Sequence, residues 1–292
     1  MSDFFKGLEK FGLSGIDMST LFEENTEENK EDKDLILDKE KQNIENEEEN
    51  EEDFLFDKNM KCPVCDKNFK NRTIRTSKLR RLGSDEDLRP RYKGIDTIKY
   101  DVSSCPYCGY TAMNRFFDGL STLQIKLIKE NVCSKFQPSI VSMPTVIDYE
   151  TAIDRYKLAL FNAIVKKGKS SEKAYTCLKI SWLYRGAIDE MIISDTESDT
   201  QVVLEYQKEE KSFYEQAYEG FLKAIENESF PICGMDMHTV DFLIGEMAFR
   251  LQKYDVASKV VGRLLTSNAN KHVKDKALVL KQNIIKAIKA TQ

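Results

Sequence analysis

Apolar residues recur at helical spacing through the C-terminal half of the chain. From residue 148 onward the period continues almost without a break, and only Pro231, beside Gly234, interrupts it. Because proline and glycine end helices and favour turns, this pair predicts a turn between two helices. Ser121 precedes an earlier apolar run and predicts a helix N-cap. The pattern indicates a mainly helical second half.

The stretch 61–110 has a different period. Segments in which apolar and polar residues alternate, such as TIRTSKL at 73–79 and IDTIKYDVSS at 95–104, are typical of strands. Gly83 and Gly94 bound these segments and favour turns. The sequence therefore predicts a small β-rich module before the helices.

The N-terminal stretch follows neither period over most of its length. A small apolar cluster within residues 1–22 is consistent with a docking helix, and residues 23–57 then carry 17 Asp and Glu against 4 Lys. So few apolar groups do not offset the entropy of ordering the chain, so we expect a disordered acidic arm. Residues 61–99 carry 12 Lys and Arg against 5 acids, and the arm is a candidate to cover this basic segment.

A weak internal repeat runs through the helical region. Residues 244–265 match the tetratricopeptide pattern, in which small residues such as Gly245 let two helices approach closely. Residues 214–227 and 171–185 repeat its second helix, although the spacing is longer than in a regular array. The marker residues are Gly245, Ala248, Tyr254, Ala257, Val261 and Leu264 in the last unit, and Ala217, Phe221, Ala224, Ala174 and Leu178 in the other two. The alternative is an ordinary helical bundle.

Two Cys-Pro-x-Cys segments suggest one metal site. Each Cys-x-x-Cys can place two sulfurs on one side of a tight turn, and two such turns face to face give the four thiolates of a closed zinc site. Gly109 follows the second pair and Asp66 the first, at a position that favours a positive φ. We therefore predict a structural Zn²⁺ site with four ligands: Cys62, Cys65, Cys105 and Cys108.

Three other interpretations of the cysteine pairs compete with structural zinc. A thiol–disulfide motif needs one pair at a helix N-terminus in a βαβ context, which neither pair has. An iron–sulfur cluster also uses four cysteines. Catalytic zinc needs an open coordination position, which four thiolates do not leave. The 39 residues between Cys65 and Cys105 exceed the usual spacing, but the added loop costs little beside the free energy of zinc binding.

The remaining residues contain no recognisable catalytic pattern. Cys133, Cys177 and Cys233 have no partner spacing and are expected to be buried free thiols, and His238 and His272 are expected at the surface. Phosphate-binding, hydrolase and metalloprotease motifs are missing from the sequence. We therefore expect a protein that is not an enzyme.

Length and composition fit a chain of this organisation. The 292 residues, 41% of them hydrophobic, allow one or two domains with a real core. Without an apolar run of ~20 residues or a secretory signal pattern, the expected location is cytoplasmic, and no membrane contact is expected. The expected fold class is α+β, mainly α, with a zinc-ribbon-like Cys₄ module followed by a tetratricopeptide-like helical stack. The expected domains are 1–57 for the arm, 58–118 for the module and 119–292 for the helices.

Several segments together are similar to one known family. They are KCPVCDKNFK at 61–70, RTSKLR at 75–80, SSCPYCGYTA at 103–112, LKISWLYRGAIDE at 178–190 and FLIGEMAFRLQKYDVASKVVGRLL at 242–265. On these residues the chain resembles the uncharacterised bacterial family called domain of unknown function 2225. Members of this family resemble a cysteine-paired zinc-ribbon-like module joined to tetratricopeptide-like helices. The resemblance implies metal ligation by the same four cysteines and nothing catalytic.

Three functions follow as hypotheses. The first is an adaptor that binds a protein or peptide on the helical domain. The second is nucleic-acid binding by the basic insert between the cysteine pairs, with Phe69 and Tyr92 stacking on bases. The basic residues concerned are Arg72, Arg75, Lys78, Arg80, Arg81, Arg89, Arg91 and Lys93. The third is a redox- or metal-responsive regulator, in which oxidation of the thiols releases zinc.

Overall fold

The computed structural model describes residues 7–13, 50–138, 144–193 and 200–291. Over these residues the chain is α+β and mainly helical, with three small antiparallel sheets in its first part, as the sequence predicts. The strands are β1 (Leu55–Lys61), β2 (Asn68–Ile74), β3 (Arg81–Ser84), β4 (Pro90–Tyr92), β5 (Val102–Ser104) and β6 (Thr111–Met113). The helices are α1 (Thr122–Ile128), α2 (Tyr149–Val165), α3 (Ser170–Ile193), α4 (Thr200–Asn227), α5 (Met237–Arg250), α6 (Tyr254–Thr266) and α7 (Lys271–Thr291).

Each sheet is a hairpin of two consecutive strands. In β1–β2, Leu55 pairs with Ile74 at one end and Lys61 pairs with Asn68 at the other. The turn that follows Lys61 contains the first cysteine pair. In β5–β6, Ser104 pairs with Thr111, and the turn between these two residues contains the second pair. The two hairpins thus present their cysteines at their tips.

The alternating segments form less strand than their pattern predicts. Within 73–79 only the first two residues belong to β2, and Thr76–Lys78 is a 3-10 helix. Within 95–104, Thr97–Tyr100 is a 3-10 helix that precedes β5. The side chain of Asp96 accepts a hydrogen bond from the backbone N–H of Ile98 at 3.0 Å. Such a local bond competes with strand pairing, which explains the difference within 95–104.

Polar side chains cap the N-termini of three helices. Ser121 caps α1 in a capping box with Gln124, which confirms the predicted N-cap. Asp148 caps α2, and Asp236 caps α5. The turn predicted at Pro231 lies between α4 and α5. The starts of these three helices are therefore set by capping side chains that the sequence shows.

Helices α5 and α6 form a close hairpin. A Cβ atom added to Gly245 in α5 would lie 3.0 Å from Val260 Cγ1 in α6. The predicted role of this glycine at a close helix approach is thereby confirmed. The marker residues Ala248, Ala257 and Leu264 are fully buried around it. The tetratricopeptide-like arrangement of the whole helical region stays a prediction.

The β-rich part packs directly against α2. The hydroxyl of Tyr156 donates to the carbonyl of Ile98 at 3.0 Å, and Asn162 Nδ2 donates to the carbonyl of Gly109 at 3.2 Å. Buried apolar residues form one hydrophobic core that extends from the strands into the helices. The division at residue 118 stays a prediction, and the core continues across it.

Parts of the N-terminal 57 residues have defined structure. Leu8–Phe11 is a 3-10 helix whose Leu8 side chain is fully buried, and the Phe11 ring stacks on Phe136 with centroids 6.1 Å apart. Residues 50–57, assigned to the arm by the sequence, form a 3-10 helix and begin β1, because Glu51 accepts from Tyr100 Oη at 2.7 Å and pairs with Lys99 at 2.8 Å. The predicted acidic arm otherwise lies outside the described residues.

In the part of the chain that the structure describes, no helix has the length and apolar character that crossing a membrane requires.

Candidate metal centre

The first cysteine pair lies in a tight turn at the tip of β1–β2. The backbone N–H of Cys62 donates to the carbonyl of Lys67 at 3.0 Å, and the N–H of Asp66 donates to the carbonyl of Cys62 at 3.0 Å. The N–H of Val64 points at Cys62 Sγ, 3.4 Å away. Asp66 has a φ of 61°, in the left-handed region. The turn thus brings both sulfurs of this pair to one side.

The second pair repeats this geometry at the tip of β5–β6. The N–H of Cys105 donates to the carbonyl of Tyr110 at 2.8 Å, and the N–H of Gly109 donates to the carbonyl of Cys105 at 3.1 Å. Gly109 has a φ of 75°. The positive φ predicted after each pair is confirmed at Asp66 as well as at Gly109, since aspartate tolerates the left-handed region better than most residues. Two matching turns therefore face each other.

The four sulfurs form one compact group. Cys62 Sγ lies 3.6 Å from Cys108 Sγ, and Cys65 Sγ lies 3.6 Å from Cys105 Sγ. All four sulfur atoms lie within 4.8 Å of one another. A tetrahedral zinc ion with bonds of about 2.3 Å separates its sulfurs by about 3.8 Å. The structure therefore brings together all four residues that the sequence predicts as ligands, in a group that could hold a metal ion.

The thiols perturb one another strongly. Contact with Cys108, followed by contact with Cys62, lowers the pKa of Cys105 to about 2. Contact with Cys105 raises the pKa of Cys62 to about 12, and it also raises the pKa of Cys108. Cys105 is thus favoured as a thiolate that accepts hydrogen bonds, while Cys62 and Cys108 keep their protons. A bound cation would instead allow several thiolates to coexist.

Buried side chains pack against the second turn. Tyr110 is fully buried, its hydroxyl donates to the carbonyl of Phe117 at 2.8 Å, and the two rings lie 5.0 Å apart. Burial raises the pKa of this hydroxyl, so it stays a donor. On the other side, the Phe136 ring covers Gly109. Cys62 and Cys105 are fully buried, so the cluster is closed to solvent on most sides.

A fifth cysteine, whose role the sequence does not reveal, neighbours the cluster. Interaction with the Cys108 side chain lowers the pKa of Cys133. Cys133 is half-buried instead of fully buried as expected, and so is Cys233, whereas Cys177 is buried. No spacing in the sequence identifies Cys133, because its position depends on how the helical segment after α1 packs against the second turn.

The basic insert holds fewer available cations than its composition suggests. Arg72 pairs with Asp57 at 3.0 Å, Arg89 with Asp96 at 2.9 Å and Arg91 with Asp85 at 2.7 Å. The side chain of Arg89 is only 2% exposed. Phe69, proposed to stack on bases, is buried in the core. Nucleic-acid binding by this insert therefore loses several of the groups on which it depends.

Fold and site together define a class: a mainly helical α+β protein with a buried cluster of four cysteines that could hold a metal ion. The family model described as an uncharacterised protein conserved in bacteria, domain of unknown function 2225, matches residues 55–284. The chain therefore belongs to this family, and its matched region includes the four cysteines and most of the helices. Comparison with curated proteins gives no match, and comparison with solved structures gives none.

Proposed function

We propose that the four-cysteine cluster binds a structural zinc ion and that the protein is a non-enzymatic adaptor. The observation that carries the zinc assignment is the closed group of four sulfurs on two matching turns. Thiolates are soft ligands that select zinc or iron, and four of them complete a tetrahedral zinc site. Such a site leaves no open position for a substrate, so its role is to hold the two hairpin tips together.

A metal at this position would stabilise more than the hairpins. The second turn touches α2 through the bond from Asn162 to the carbonyl of Gly109. Residues near the cluster also contact the Leu8–Phe11 segment through Phe136 and Phe11. The zinc module therefore serves as a rigid base for the helices, which form the larger part of the described chain.

The adaptor role is supported by an apolar strip on the last helix. In α7 the buried positions Val273, Ala277, Leu280 and Ile284 recur at helical spacing and face the core. On another face, Leu278 is 47% exposed and Ile285, about two turns further along the helix, is 44% exposed. Large apolar side chains that are exposed together mark surfaces that bind other proteins. We therefore place the partner site on this strip, which we call the α7 strip.

The zinc assignment is tested by metal analysis of the purified chain. We expect about one zinc per chain in the wild type and in Cys233→Ser, which changes a half-buried thiol away from the cluster. Cys62→Ser and Cys105→Ser should each lose most of the metal, because three thiolates bind more weakly than four. Iron in place of zinc, or no metal at all, would contradict the assignment.

The adaptor assignment is tested with two variants that each place a glutamate on α7. Leu278→Glu places a charge in the α7 strip, whereas Lys286→Glu changes an exposed residue of the same helix outside it. A partner that co-purifies with the wild type should be lost from Leu278→Glu and retained by Lys286→Glu. Retention by both variants would place the partner elsewhere, and no specific partner for the wild type would argue against an adaptor.

A further inference from the structure

The last helix carries a strong excess of positive charge. Helix α7 contains six lysines and one aspartate, whereas the whole chain has a net charge of −5. Among the residues that the structure describes, Lys271, Lys274 and Lys281 form no ion pair with an acidic side chain. They differ in this from the arginines of the basic insert, which acids of the same chain neutralise. The positive charge of α7 is therefore available to a partner.

These lysines share a face with the α7 strip. The positions 271, 274, 278, 281 and 285 alternate spacings of three and four residues, so their side chains lie in one row along the helix. Leu278 and Ile285 are 47% and 44% exposed. Lys271 and Lys281 are exposed, and Lys274 is half-buried. The row therefore offers three lysines and two apolar side chains to a binding partner.

The spacing of the row favours a helix as the partner. Side chains at alternating spacings of three and four residues form the narrow seam along which one helix packs on another. A helix that lies on a membrane surface presents a broader apolar face. The aliphatic stems of lysines also pack on apolar side chains while their ammonium groups stay in water. A partner helix with its own apolar row thus fits this seam.

We propose that the α7 strip binds an acidic amphipathic helix of a partner protein. The proposal rests on the proposed function, since it names the kind of partner that the adaptor takes. Apolar residues of the partner pack on Leu278 and Ile285, and its carboxylates face Lys271, Lys274 and Lys281. Opposite charges across the interface steer association and exclude basic partners.

The first test uses the full-length chain and three synthetic peptides of equal length. The acidic peptide has leucines in a row at alternating spacings of three and four, with glutamates beside the row. The scrambled peptide has the same composition without the row, and the basic peptide has lysines in place of the glutamates. In fluorescence anisotropy we expect the acidic peptide to bind, the scrambled peptide to bind about tenfold more weakly, and the basic peptide not to bind.

Two double variants show whether the lysines of the strip recognise the acidic peptide. Lys274→Gln/Lys281→Gln keeps both apolar residues of the strip and removes two positive charges. Its affinity for the acidic peptide should fall about fivefold or more, and should depend less on salt than that of the wild type. The matched control Lys208→Gln/Lys286→Gln removes two exposed lysines outside the strip. It should bind within about twofold of the wild type.

Anionic membranes and nucleic acids also attract lysines, so both serve as competing probes. Vesicles of phosphatidylcholine with phosphatidylglycerol, and a double-stranded oligonucleotide, are titrated with the same proteins. Tighter binding of either probe than of the acidic peptide, lost in Lys274→Gln/Lys281→Gln, overturns the proposal. Equal binding of the acidic and scrambled peptides, or no binding of the acidic peptide, overturns it as well.

Failure of this proposal is distinct from failure of the adaptor assignment. A co-purifying partner that is lost from Leu278→Glu but kept by Lys274→Gln/Lys281→Gln leaves the adaptor in place and refutes an acidic partner. If the wild type has no specific partner, or if Leu278→Glu retains it, the α7 strip is not the partner site and both proposals fail. A partner that both variants lose, and that binds through an acidic amphipathic helix, supports the proposal.

Discussion

Asp66 and Gly109 occupy equivalent positions after the two cysteine pairs, yet they tolerate different changes. Both adopt a positive φ, at 61° and 75°. Asp66 carries a side chain there without obstruction, and it pairs with Lys61 at 3.0 Å. Gly109 has the Phe136 ring directly above it, so no side chain fits. The same positive φ therefore permits an aspartate in the first turn but only a glycine in the second.

This difference predicts the effect of Gly109→Ala. The variant should lose about 2–4 kcal/mol of unfolding free energy, because a Cβ atom would be strained by the positive φ and would collide with Phe136. Gly119→Ala is the matched control, since Gly119 has a φ of 78° but no atom within 4 Å of the added Cβ. It should lose only about 1–2 kcal/mol. Equal losses in denaturant unfolding would show that Phe136 does not restrict the site.

Glu246 in α5 is a buried acid without a hydrogen-bonded basic partner among the described contacts. Burial, followed by the nearby charges of Asp87 and Glu86, raises its pKa to about 7. Because the folded state binds the proton more tightly than the unfolded state, the stability linked to this group is present at low pH. That stability is lost as the pH rises through about 7.

We therefore expect Glu246→Gln to be more stable than the wild type at about pH 8, by about 1–3 kcal/mol. The difference should shrink toward about pH 5, where the wild-type carboxyl is protonated in the folded state. Thermal or denaturant unfolding of both proteins at several pH values measures this difference in stability. Because the cysteines titrate in both proteins, their contribution cancels when the two are compared at the same pH. Glu226→Gln, at an exposed position of α4, should show no such trend.

At the scale of elements, one aspartate binds the turn between β3 and β4 to helices α3 and α5. Asp87 is buried and accepts hydrogen bonds from Trp182 Nε1 at 3.1 Å and from Arg185 Nη2 at 2.9 Å, both in α3. Arg250 of α5 lies 3.9 Å away, and Glu210 of α4 shares both arginines. Burial by itself raises the pKa of Asp87, but Arg185, Arg250 and Trp182 together outweigh burial and lower it.

Removal of this carboxylate should weaken the whole contact. Asp87→Ala leaves Trp182 Nε1 without its acceptor and Arg185 without its buried partner, so we expect a loss of about 3–5 kcal/mol. Glu86→Ala, one residue away and exposed, should change stability by about 0.5 kcal/mol or less. If Asp87→Ala were as mild as its control in denaturant unfolding, the β3–β4 turn would contribute little to the fold.

At the scale of the whole molecule, polar and apolar contacts join the β-rich part to the helices. Arg155 of α2 is buried and donates to Asn71 Oδ1 at 3.0 Å and to the carbonyl of Val102 at 2.7 Å. Lys179 of α3 pairs with Asp101. If the cysteine module unfolded alone, it would leave these buried cations without acceptors, which is costly. The two parts should therefore unfold together.

This predicts the response to metal removal. From the sequence alone, loss of the metal would unfold residues 60–110 and leave the helical signal intact. With the contacts of Arg155 and Lys179, we expect a chelator or Cys62→Ser to lower the melting temperature of the helical signal in far-UV circular dichroism as well. A helical transition that stays at the wild-type temperature would show that the two parts are independent.

The sequence by itself determined the features that depend on local chemistry. Helical spacing, proline and capping residues such as Ser121 located the helices, and the two Cys-Pro-x-Cys segments identified the four sulfurs that come together, because short-range geometry sets both. Strands were harder to predict, since Asp96 and its neighbours form local hydrogen bonds that an alternating pattern does not reveal.

Only the tertiary structure decided which residues meet across long distances in the chain. It paired Arg72, Arg89 and Arg91 with acids instead of leaving them available to phosphates, and it buried Asp87 under α3. Such contacts arise from how whole elements pack, and packing depends on the combined shape and charge of many side chains, which no short sequence pattern encodes.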